Sequence, residues 1–128
     1  MRRVVFLMAV SLALAEPPAN VLSFFRSAAE ALADGDARAL LGKFDGKMPE
    51  YATLRDEIEA LLAAHQVGST IEIVSDEGNN QKRALELDWL LVISDVGQRR
   101  QIIKCKIERR GRDWKITAID PVGFFKPE

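Results

Sequence analysis

The sequence predicts a single α+β domain of N-terminal helices followed by a curved antiparallel sheet. Three observations carry this reading. Apolar residues recur at helical spacing up to about residue 65, then alternate with polar ones from Thr70 almost to the end. Helices precede strands and do not interleave with them, so the crossovers that parallel strands need are missing. Short polar stretches, DEGNNQK, SDVGQ and RGRD, separate the strand runs, as in an antiparallel meander.

Residues 1–15, MRRVVFLMAVSLALA, combine a basic start at Arg2 and Arg3, an apolar run from Val4 to Leu14 and a small-x-small ending at Ala13-Leu14-Ala15. That is the pattern of a secretory signal peptide cleaved after Ala15. The run is shorter than the roughly 20 residues that cross a bilayer. Glu16 stands where lipidation would need a cysteine. The expectation is a secreted or periplasmic protein without a stable membrane anchor, whose single domain covers residues 16–128.

In the first helix Asn20 is the expected cap, Val21, Phe25, Ala28, Ala29 and Leu32 form the stripe, and Gly35 is the stop. Asp36 caps a short second helix, Ala37 to Leu41, which ends at Gly42. After the turn-rich KFDGKMPEY, Thr53 is the expected cap of a third helix carrying Leu54, Ile58, Leu61, Leu62 and His65, closed by Gly68.

Strands are expected near 70–75, 83–93, 99–109 and 114–120. Side-chain parity places Ile71, Ile73, Leu85, Leu87, Trp89, Leu91, Ile103, Cys105, Ile107, Ile116 and Ala118 on one apolar face. Folding the SDVGQ hairpin so that Glu86 faces Lys106 and Asp88 faces Lys104 matches charges on the opposite face. The same register sets Leu87 against Cys105 and Trp89 against Ile103. For the last hairpin, Glu108 opposite Lys115, Ile107 opposite Ile116 and Cys105 opposite Ala118 avoids setting Lys106 against Lys115.

The segments AAEALADGDARALL and RRGRDWKITAID, a short helix pair hinged at Gly-Asp and a tight turn with a tryptophan opening the last strand, resemble the nuclear transport factor 2-like superfamily. The resemblance spans about residues 20–120. It implies that the N-terminal helices pack on the concave face of the curved antiparallel sheet, a cone-like fold that often holds a pocket, in a family whose members include ketosteroid isomerases and polyketide cyclases. An isomerase or cyclase-like enzyme is therefore the alternative reading. The isomerase pattern, however, needs a pocket tyrosine and inner-sheet acids. Here Tyr51 is the one tyrosine, and Glu72, Glu86 and Asp88 are expected to face outward.

Composition narrows the rest. Removing the leader leaves 16 basic and 19 acidic residues, a net charge of about -3, which favours neither nucleic acid nor a membrane surface. Cys105, the single cysteine, cannot form an internal disulfide and is expected to be buried. One histidine and one cysteine assemble no structural zinc site, so no metal and no cofactor are expected. His65 is expected in the last turn of its helix, where it meets the negative end. No catalytic residue is assigned.

Two binding surfaces remain as expectations. Phe25, Tyr51, Leu87, Trp89, Ile103 and Trp114 could line a site for a small apolar molecule. Arg109, Arg110 and Arg112 could contact an anion, whereas Arg99 and Arg100 lie about 33 Å further along a strand. The tail PVGFFKPE, with Phe124 and Phe125, is expected to pack across the cone or into a homodimer, for which the sheet is the other candidate surface. The functional expectation is a non-catalytic domain that binds a small apolar ligand or serves as an interaction module.

Overall fold

The computed structural model describes residues 18–128; the expected leader and its cleavage site lie outside the described residues. Helix α1 spans Ala19–Ala33. Its cap position is Pro18, whose carbonyl accepts from the amides of Val21 and Leu22 at 2.9 and 3.1 Å, so the expected cap Asn20 lies inside the first turn. A proline at the entrance presets φ for the helix and needs no donor there. At the other end Gly35 adopts φ +70, and the amides of Gly35 and Asp36 close on the carbonyls of Leu32 and Ala31. That bonding pattern satisfies carbonyls the helix leaves open. Asp36 then accepts from the Ala39 amide at 3.0 Å and starts α2, Ala37–Leu41.

Helix α3, Tyr51–Ala64, starts two residues before the expected cap Thr53. Glu50 takes a left-handed conformation at φ 61 and turns the chain into the helix without a side-chain cap. His65 ends α3 in an extended conformation, beyond the last turn and not within it, and Gly68 already belongs to the first strand. The loop between α2 and α3 contributes to the core through Phe44 and Met48, both buried.

Four antiparallel strands, β1 (Val67–Gly78), β2 (Lys82–Ile93), β3 (Gly97–Arg110) and β4 (Asp113–Asp120), form an open curved sheet in sequence order. Helix α1 packs on β1, and α3 packs on a short 3-10 turn, Val122–Phe125. Backbone bonds between Asp45 and Ile116 and between Ile116 and Lys43, each 2.8 Å, cover the free edge of β4.

The β2–β3 register differs from expectation by two residues. Glu86 faces Lys104, Asp88 faces Ile102, Leu87 faces Ile103 and Trp89 faces Gln101. Turn geometry overrides charge matching here. Asp95 at φ 66 and Gly97 at φ 124 allow Ile93 to pair with Gly97 across a three-residue loop, shorter than SDVGQ. Because the shift is even, every residue keeps its face.

Two bulges alter the faces. On β4 the expected register holds from Arg110–Asp113 to Ile107–Ile116, then slips, so that Lys106 faces Ala118 and Cys105 faces Ile119. Ile119, not Ala118, is therefore the buried residue. On β1 the slip falls between Ile73 and Ser75, leaving Val74 exposed and setting Asp76 opposite Leu85.

Candidate functional site

The expected apolar lining is a packed core. Leu87, Trp89 and Ile103 are 0% exposed, and Phe25 is enclosed in the same cluster. The 3-10 turn fills the space in front of them: Phe124 and Phe125 stand 5.7 and 5.3 Å from the Trp89 ring and 5.2 Å from each other. These spacings are those of favourable tilted and edge-on aromatic pairs. Trp89 also satisfies its indole N–H, which donates to Ser69 Oγ at 2.9 Å. Trp114 is buried further along the sheet, on β4, and Tyr51 is half-buried at the first residue of α3. The six positions thus do not line a common open space.

Burial also decides the chemistry of Cys105. Desolvation of the thiolate pushes the thiol up to about 12, so at neutral pH it is a protonated core side chain and a poor nucleophile.

The three arginines at the last turn do not form one anion contact. Arg110 is engaged by Glu108 at 3.0 Å and Asp45 at 3.1 Å. Asp45 is held below the usual carboxylate range chiefly by the Lys47 amide, with Arg110 adding to it. Arg109 lies 5.6 Å over the Trp114 ring, a cation–π distance. Arg112 alone of the three has neither partner among the described residues.

A second expected pairing also dissolves. Glu108 and Lys115 are opposite in register, yet Glu108 bonds Arg110, while Lys115 Nζ donates to the carbonyl of Gly42 at the end of α2. A cation at an open helix carbonyl satisfies the acceptor and the negative helix end together. At the other end of β3, Arg100 makes a two-pronged bond to Asp88, at 2.9 and 2.7 Å, which holds the Asp88 carboxyl below its ordinary range.

One ionic feature of the inner face was missed. The β1 bulge turns Asp76 inward, where Arg83 Nε meets Oδ1 at 2.8 Å; the two side chains are only 7% and 12% exposed. The other oxygen, Oδ2, is buried without a hydrogen-bond partner among the described residues. The face that side-chain parity made wholly apolar is therefore corrected: it carries one largely buried ion pair. The signal was in IEIVSD: Ile73 and Val74 are adjacent apolar residues, which breaks a strict alternation and marks the extra residue of a bulge.

On the outer face, a trough of about 620 Å3 runs over Ala84 and Ala118, which flank Lys106, and is lined by Glu77, Glu86 and Asp120 together with Lys104. Small floor residues beneath longer charged ones make the depression. Ile102 and Val92 on the same face are 52% and 44% exposed.

Solved structures share this fold at low sequence identity. Bd1075 of Bdellovibrio bacteriovorus matches with TM-score 0.70 and 11% identity over 78% of this chain and 39% of that one, so this chain spans well under half of that protein. A variant of Rv3472, a protein of unknown function from Mycobacterium tuberculosis, matches with TM-score 0.66 and 9% identity over 78% and 67% of the two chains. An NTF-2 like protein of unknown function from Shewanella oneidensis MR-1 gives 0.63 and 13%, covering 78% of this chain and 93% of its own. No protein-family model and no curated protein matches the sequence. These likenesses establish the nuclear transport factor 2-like fold.

Proposed function

We propose that this nuclear transport factor 2-like chain is an exported, non-catalytic interaction domain that uses the outer face of its sheet to meet a second copy of itself. The observation that carries the reading is the exposure of Ile102 and Val92 there, while the inner face is filled by the chain's own tail. Neighbouring strands on the outer face carry opposite charge, Glu86 and Asp88 on β2 against Lys104 and Lys106 on β3. A twofold axis can set the acidic strand of one copy over the basic strand of the other. Phe124 and Phe125 are buried within one chain, which favours the sheet over the tail as the contact. Their position also weakens the apolar-ligand reading, since a ligand would have to displace them.

Sedimentation velocity tests this. The expected result is a dimer that Ile102→Asp converts to a folded monomer; a wild-type monomer at high concentration overturns it. Export is read separately, from the mass of the secreted protein, which is expected to begin at Glu16.

A further inference from the structure

Between the first turn of α1, the end of α2 and the β3–β4 turn lies a cleft of about 440 Å3. Arg38, Lys43, Arg112 and Lys115 line it against one carboxylate, Asp113. No side chain of these four stands within 4.0 Å of a carboxylate oxygen among the described residues. The outer-sheet trough has no such excess of cations, since Glu77, Glu86 and Asp120 line it with Lys104 and Lys106.

The cations are placed and not merely present. Lys115 is anchored to the Gly42 carbonyl, and Lys43 stands 5.0 Å over the ring of Phe24. Burial, followed by repulsion from Lys115, holds the Lys43 ammonium below its ordinary pKa, against the opposing pull of Asp113 and Glu30. Two like charges held together in a partly dry wall are a cost that an anion between them relieves. Helix α1 begins here without a side-chain cap, so its positive end adds to the same field. Phe24 and Trp114 supply apolar ring surface, and the Trp114 indole N–H is buried with no acceptor among the described residues.

We propose that this cleft binds a small oxyanion, a phosphate or carboxylate, carried on a planar apolar group. The cationic side chains take the oxyanion, and Phe24 with the Trp114 edge takes the ring. The site shares no residue with the outer-sheet trough and does not depend on self-association.

The test is a titration of the isotope-labelled protein at low ionic strength with phenyl phosphate, benzoate and inorganic phosphate, following the two indole N–H signals by NMR. The expected result is a saturable shift of the Trp114 signal with Trp89 unmoved. Phenyl phosphate should bind about tenfold tighter than inorganic phosphate because the ring adds apolar contact. Saturation by phenyl phosphate alone assigns the oxyanion as phosphate, and by benzoate alone as carboxylate. Arg112→Glu, at an exposed turn position, should weaken binding about tenfold or more, and Lys43→Met similarly. Arg100→Glu, on the outer face, should leave the affinity unchanged. Absence of a saturable shift with any of the three probes overturns the proposal, as does unaltered affinity in folded Arg112→Glu.

Discussion

Arg99 of β3 holds Phe124 by its backbone: the guanidinium donates to the Phe124 carbonyl at 2.6 Å, and to the carbonyls of Lys126 and Glu128 at 2.7 and 2.8 Å. A planar fork with five donors suits several carbonyls of one passing strand of chain. The tail is thereby tied across the concave face with both phenylalanines seated on Trp89. Arg99→Met should cost about 2 kcal/mol in urea unfolding, and amide exchange should accelerate first over residues 124–128. Unchanged exchange there would show that the aromatic packing holds the tail alone.

Phe125→Ala tests what the tail fills. Truncating this fully buried ring should destabilise by about 3–4 kcal/mol. The variant should also bind an environment-sensitive apolar dye that the wild type ignores. Equal dye binding by both proteins would mean that the cone is already open in solution.

Cys105 makes stability depend on alkaline pH. Its folded pKa, near 12, lies above the ordinary value of 9.0, so between these the unfolded chain releases a proton that the folded chain keeps. The contribution is present below pH 9 and is lost as pH rises towards 12, at roughly 1 kcal/mol per pH unit. Cys105→Val should therefore lose less stability than wild type over that range in denaturant titrations. Native Cys105 should also resist thiol reagents until the protein is unfolded.

Arg83→Met should destabilise by about 3 kcal/mol, because it leaves the Asp76 carboxylate in a largely buried place without its cation. Adding Asp76→Leu should restore much of the loss, since replacing both partners removes the stranded charge. A loss under about 0.5 kcal/mol for Arg83→Met would show that water reaches Asp76.

Much of the fold was legible because its signals are local. Gly35 and Asp36, stop and start in adjacent positions, located the α1–α2 hinge from their own chemistry. The alternation in β2 and β3 assigned faces that an even register shift could not disturb. Both bulges were also signalled, by Ile73-Val74 and by the three-residue spacing from Ile116 to Ile119, and a strict period of two read past them. The tight loop at Asp95 was the harder case, because charge matching and turn geometry favoured registers two residues apart and the backbone decided.

By itself the sequence determined the order of helices and strands, the inner and outer faces of β2 and β3 and the burial of Cys105, all of which follow from periodicity and turn chemistry within a few residues. The tertiary structure alone decided that the cone is filled, that Lys115 serves α2 and not Glu108, and that four cations share one cleft. Each of these depends on segments far apart in the chain meeting in space: the tail on β2, β4 on the end of α2, the last turn beside α1. Long side chains choose among several partners within reach, and that choice is made by the packing of the backbone beneath them.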